Sequence, residues 1–122
     1  MTPAALAGMM WAGRTLLALL FIAGALQKAV APEAGMVLLT DRGLPGALIW
    51  PALVYNALAG LALLLGFWIG HVALSLAIYC MITSVFHFLP DDPWQMSIFV
   101  KNWAIAGGLL VLSAHEYSHP RG

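Results

Sequence analysis

The chain has 122 residues, of which 62% are hydrophobic and 8% charged, and its formal net charge is zero. A soluble domain carries about 25% charged residues, so this chain has too little polar surface to cover a core in water; its mean hydropathy of +0.91 points the same way. The balance of charges excludes a basic patch for nucleic acid, and the single cysteine, Cys80, excludes both an internal disulfide and a C-x-x-C pair. Cys80 is read as a buried, inert side chain.

A helical span needs about 20 apolar residues. Four spans therefore fit with short loops, and five would leave almost none. The expectation is one all-α integral membrane domain over residues 1–122, with spans near 6–27, 47–68, 71–89 and 96–114.

The first segment has no Lys or Arg before Arg14, so it lacks the basic region of a cleaved leader and is read as a retained span. Arg14 is its anomaly. A central Arg costs about 2.5–3.5 kcal/mol on insertion scales, and a place about two turns from the helix start would let it snorkel outward. Lys28, at the other end, is expected at the far interface. In the connection that follows, Pro32 and Glu33 signal a helix start, residues 36–39 are apolar, and Asp41-Arg42-Gly43 stops the run. That is too short to cross a bilayer and reads as an interfacial or re-entrant helix between spans one and two.

The second segment is bracketed by Trp50 and Trp68, as interfacial aromatic belts require, and holds Asn56. Residues 66–71 are the one break in a long apolar run, long enough for a tight hairpin. The third segment carries Ser75, Tyr79, Thr83, Ser84 and His87. Tyr79, Thr83 and His87 are spaced i, i+4, i+8, so they share a face expected to point into the bundle. The prolines and acids of residues 90–94 make a loop. The fourth segment has Lys101 and Asn102 in its first turns, while Gly107-Gly108 would allow close approach of a neighbouring helix. The tail, residues 115–122, is read as short, polar and frayed. Arg14 and Arg121 fall on one side and Lys28, Arg42 and Lys101 on the other, a count that leaves orientation undecided.

Threading the spans up and down puts Gln27, Lys28, His87, Lys101 and Asn102 at one end of the bundle, with Asn56 somewhat deeper. Ionisable groups within a membrane are functional-site candidates. Two lysines, a histidine and an asparagine in an aromatic-rimmed cleft could hold an anionic or carbonyl-bearing ligand such as a quinone headgroup, and His87 could relay a proton. In the alternative, Lys28 and Lys101 snorkel and pair with Asp91, Asp92 or Glu33, and His87 caps its helix. At the opposite end His115-Glu116-Tyr117-Ser118-His119 matches H-E-x-x-H, with His71 a third ligand candidate. The match is short and Pro120 follows at once, so no metal site is assigned; His71, His115 and His119 stay as weak candidates.

The order of motifs is itself informative: Arg14, then FIAGALQKAVAP (21–32), GLP (43–45), AGLALLLGFWIGHVAL (59–74), FHF (86–88) and KNWAIAGGLLVL (101–112). Across nearly the whole chain this pattern resembles the DoxX family of small four-helix membrane proteins. The resemblance implies a four-helix bundle associated with redox chemistry. Some members are subunits of a thiosulfate:quinone oxidoreductase, and others are linked to quinone, thiol or oxidative-stress systems. The family-like polar positions are Arg14, Lys28, His87, Lys101 and Asn102. Relatives often carry an acid ahead of G-L-x-L-L-x-G, where this chain has Asn56, and the lost carboxylate favours a binding or accessory role.

The functional expectation is a small membrane subunit, without stand-alone activity or an intrinsic cofactor, of a quinone-linked redox system in a bacterial cytoplasmic (inner) membrane. It would bind a quinone or lipid headgroup near Lys28, His87 and Lys101 and act with a soluble oxidoreductase or a larger membrane complex. The alternative is a non-catalytic structural subunit packed against such a complex.

Overall fold

The computed structural model describes residues 1–119. All regular structure among them is helical: α1 (Pro3–Val30), α2 (Pro32–Thr40), α3 (Ile49–Leu65), α4 (Ile69–Thr83) and α5 (Pro93–Ser118), with 3-10 turns at Gly46–Leu48 and Ser84–His87. The stretches Pro3–Val30, Gly46–Leu65, Ile69–His87 and Pro93–Ser118 are long and apolar enough to cross a membrane. The protein is a multi-pass membrane protein.

Each helix begins where its local chemistry demands. Thr2 caps α1, its hydroxyl accepting from Ala5 N at 3.1 Å, with Pro3 in the first position. Pro32 cannot donate into α1 and starts α2 instead. Nine residues make α2 about 14 Å long, far short of a crossing, so it is the expected short helix and lies across the start of α3. The loop after α4 ends at Asp92, whose carboxylate accepts from Trp94 N and Gln95 N at 3.1 and 3.2 Å and so caps α5.

The hairpin between the second and third spans is tighter than residues 66–71. α3 ends at Leu65, and Gly66 takes a left-handed conformation (φ 89°) that lets Gly66 N and Phe67 N both donate to Ala62 O, at 2.9 and 2.8 Å. Trp68 is not the last residue of span two. It sits in the turn, itself left-handed (φ 49°) and 78% exposed, and leads into α4. Three other expectations change. Span three does not run as an α-helix to Leu89 but tightens at Ser84 into the 3-10 turn. Residues 115–118 of the tail are not frayed but continue α5 to Ser118, while residues 120–122 lie outside the described residues. Gly107 and Gly108 meet no neighbouring helix within this chain: a Cβ on either would find nothing within 4 Å. Arg121, used in weighing orientation, lies outside the described residues.

α1 packs along α3, and α4 along α5; the α3–α4 hairpin and a smaller α1–α5 contact close the square. The buried cluster between the helices is built largely from small side chains, Ala18 and Ala59 from α1 and α3 and Ala73, Ala77 and Ala106 from α4 and α5, around the fully buried Leu63, Leu76 and Leu109. Lipid offers no hydrophobic drive between helices, so close backbone approach has to supply the attraction. Leu16, Leu58, Ile82 and Val111 point outward to lipid.

Candidate functional site

At the end where α1 and α4 finish, Lys28 turns back along its own helix. Its Nζ lies 3.9 Å from where a Cβ on Gly24 would be, so the side chain runs back along α1 toward the membrane interior, the direction in which helical Cα–Cβ bonds tilt. It is half-buried. Among the described residues neither Lys28 nor Lys101 makes an ion pair or hydrogen bond. The pairing of these lysines with Asp91, Asp92 or Glu33 therefore does not form, and Asp92 caps α5 instead.

His87 does not cap its helix through a carbonyl. Its Nδ1 lies 2.7 Å from Gln95 Oε1. With the amide oxygen as acceptor, Nδ1 is the donor, and Nε2 faces away from Gln95. Gln95 in turn is placed by the Asp92 cap. The carbonyls at the end of this helix go to Arg42, whose Nη2 donates to Val85 O at 2.6 Å and Phe88 O at 3.3 Å. Arg42 thus ties the loop after α2 across the end of the bundle. Lys101 is exposed and Asn102 half-buried, neither touching His87 through a hydrogen bond.

Deeper in the membrane a polar group links α3 and α4. Asn56 is 2% exposed; its Oδ1 accepts from Tyr79 OH at 3.4 Å. The Tyr79 ring stands 5.1 Å from that of Tyr55, whose hydroxyl is hydrogen-bonded to Ser75. Thr83 donates to Tyr79 O at 2.7 Å. Leaving such groups unpaired in an apolar interior would cost several kcal/mol each, so the network keeps α3 and α4 in one rotational setting.

Arg14 lies at the opposite end. α1 starts earlier than expected, so Arg14 is about three turns in rather than two, and its guanidinium reaches the end of α3, with Nη1 3.7 Å from a Cβ built on Gly66. The negative end of a helix dipole favours a cation there. Arg14 Nε and Thr15 Oγ1 are buried with no hydrogen-bond partner. At the same end His71 Nδ1 pairs with Tyr117 OH at 2.7 Å, and Ser113 donates to Gly70 O at 2.8 Å, fastening α5 to the start of α4. Two hollows of about 370 and 340 Å³ adjoin there, sharing His71 and Ser75. The H-E-x-x-H segment forms the last turn of α5: the rings of His115 and His119 stack 4.4 Å apart, and His119 Nδ1 lies 3.0 Å from His115 O. No three His, Cys, Asp or Glu side chains converge among the described residues.

The candidates thus divide. Asn56 and His87 each have a defined partner, Lys28 turns inward without one, Lys101 and Asn102 line the same end, and Arg14 stands apart. Tyr55, Gln95 and Tyr117 were not singled out from the sequence. Gln95 had a signal, three residues after the capping Asp92; Tyr55 and Tyr117 are lone aromatics whose partners lie 20 and 46 positions away.

A DoxX family model matches residues 9–89. The match covers α1 to the loop after α4 and stops short of Lys101 and Asn102. No curated protein and no solved structure matches the chain.

Proposed function

Because the chain belongs to the DoxX family, we propose that it is a membrane subunit of a quinone-linked redox system in a bacterial cytoplasmic membrane, and that its own part is to hold a headgroup at the Lys28 end. The observation that carries this reading is Lys28 itself: an ammonium folded toward the membrane interior, half-buried and unpaired among the described residues. An oxygen acceptor from a ligand would satisfy it. His87 Nε2 offers the complementary lone pair, which suits a hydroquinone hydroxyl. Electron transfer itself would belong to a partner, and at Asn56 an amide cannot take the proton that a carboxylate could.

A charge-assisted hydrogen bond contributes about 1.5–3 kcal/mol, so Lys28→Met is expected to weaken binding of a short-chain benzoquinone at least tenfold. Quenching of tryptophan fluorescence in nanodiscs reads the affinity. Native mass spectrometry after gentle extraction tells a retained quinone from a retained phospholipid and reports any oxidoreductase bound with it. Unchanged quinone affinity in Lys28→Met would sink the reading.

A second reading, a structural subunit packed against a larger complex, is favoured by one observation. Gly107 and Gly108 lie open on α5 between the exposed Val100 and Val111, a surface on which another helix could approach closely. Gly107→Leu would then release the protein from its complex while leaving Lys28-dependent binding intact.

A further inference from the structure

The polar face read from Tyr79, Thr83 and His87 extends the full length of its helix. Counting back by fours adds Ser75 and His71, so α4 and its 3-10 turn carry His71, Ser75, Tyr79, Thr83 and His87 in one row. At about 1.5–2 Å of rise per residue the row covers about 25 Å, most of the roughly 30 Å hydrocarbon layer. A four-residue step turns about 40° around the helix. The row accordingly winds from the exposed His71 and Ser75 to the half-buried Tyr79, Thr83 and His87.

Most rungs are held from a neighbouring segment: His71 by Tyr117, Ser75 by Tyr55, Tyr79 by Asn56, His87 by Gln95. Hydrogen bonds between helices in a membrane add little stability each, and the small-residue seams already hold the bundle. These bonds set how α3 and α5 turn against α4, but that task does not call for a protonatable or hydroxyl group at every fourth position of one helix, Thr83 included, whose hydroxyl reaches no neighbouring segment. The row ends in an imidazole toward each face, the side chain suited to exchange protons near neutral pH, and at the His71 end it opens on the two hollows.

We propose that this row is a transmembrane proton path. A proton binds the imidazole at one end while the ring releases another inward. Each hydroxyl then accepts one proton as it passes its own on, and the last imidazole releases one to the other face. One proton enters and one leaves, no electron moves, and only O–H and N–H bonds are made and broken. From His71 to Thr83 successive rungs stand about 6 Å apart along the axis, the length of two hydrogen bonds of about 2.8 Å through a single water. The step from Thr83 to His87, through the 3-10 turn, is about 8 Å and takes two waters. Three rungs turn before they pass a proton. Thr83, whose hydroxyl points to Tyr79 O, rotates about χ1, where threonine in a helix has two settings. The Tyr79 hydroxyl swings off Asn56 Oδ1, and the His87 ring releases Gln95 Oε1. The path stands without the quinone reading. Where a quinone is bound at the Lys28 end, its two-electron reduction would draw two protons along the same row.

The test uses the full chain in phosphatidylcholine vesicles loaded with potassium and an internal pH dye. Valinomycin lets potassium out, and the resulting potential drives protons in. Wild-type protein is expected to raise the initial rate of internal acidification at least tenfold over protein-free vesicles. Tyr79→Phe, which keeps the ring against Tyr55, and Thr83→Val, which keeps the shape, should each bring it back by tenfold or more, while Ile82→Val, facing lipid, should not. Circular dichroism of the vesicles checks insertion; if one variant fails to insert, the other decides. A wild-type rate equal to that of empty vesicles overturns the proposal, and so does an inserted Tyr79→Phe or Thr83→Val that conducts like wild type.

Discussion

Gly60 is where the bundle is most sensitive to one methyl group. A Cβ at that position would stand 2.9 Å from Ile22 Cγ1, 3.2 Å from Ile22 N and 3.3 Å from Ala18 O. Carbon atoms pack best at about 3.5–4.0 Å, so the added carbon overlaps Ile22 by more than half an ångström. Ile22 is β-branched and stiff at χ1, and the other two neighbours are backbone. α1 must therefore back away from α3 along the seam that holds Ala18, Phe21, Ala59 and Leu63. Overpacking of this kind costs about 1–3 kcal/mol. Replacing a helical glycine by alanine returns about 0.5–1 kcal/mol of backbone entropy, leaving Gly60→Ala up to about 2.5 kcal/mol less stable than the parent protein and about 1–3 kcal/mol less stable than Gly107→Ala. Gly107→Ala is the control: nothing lies within 4 Å of its added carbon, so only the favourable term remains and stability is unchanged or rises by up to about 1 kcal/mol. Titration with sodium dodecyl sulfate in mixed micelles, followed by circular dichroism, gives both values. A Gly60→Ala protein as stable as Gly107→Ala would refute the close α1–α3 approach.

The remaining predictions concern single hydrogen-bonded ties. Ser113→Ala removes the buried bond to Gly70 O and is expected to cost about 0.6–1.7 kcal/mol in the same titration; an unchanged midpoint would mean that the bond does not fasten α5 to α4. Arg42→Gln frees the carbonyls of Val85 and Phe88. Because Arg42 is exposed, solvent reduces its worth to about 1 kcal/mol. Amide hydrogen exchange across residues 84–89 should then speed up about fivefold, and equal exchange would argue that the tie is idle. Asp92→Ala removes the cap of α5 at a cost of about 1 kcal/mol. By loosening Gln95 it should also shift the imidazole resonances of His87 in NMR spectra, which would stay in place if the cap and the imidazole were independent.

The sequence by itself determined the membrane, the number of spans, the short helix after the first span and a hairpin within residues 66–71. Each of these follows from a local sum. Hydropathy over about 20 residues measures transfer from water to lipid, and a proline, a glycine or a capping acid acts within a turn of where it stands. Asn56 and the Tyr79 row were legible for the same reason, as polar residues set in apolar runs. The tertiary structure decided which way each helix is turned. In water a helix declares its buried face by an apolar stripe, whereas here both faces are apolar, one against lipid and one against protein. The sequence therefore carried no mark that Gly60 lies inside the seam while Gly107 and Gly108 lie outside it, or that α1 pairs with α3 and α4 with α5. Those settings are fixed by steric fit and by hydrogen bonds between distant positions, Ser113 with Gly70 and Arg42 with Val85. The inward course of Lys28 was equally hidden, because a long side chain near a helix end can run either way and its surroundings choose the direction.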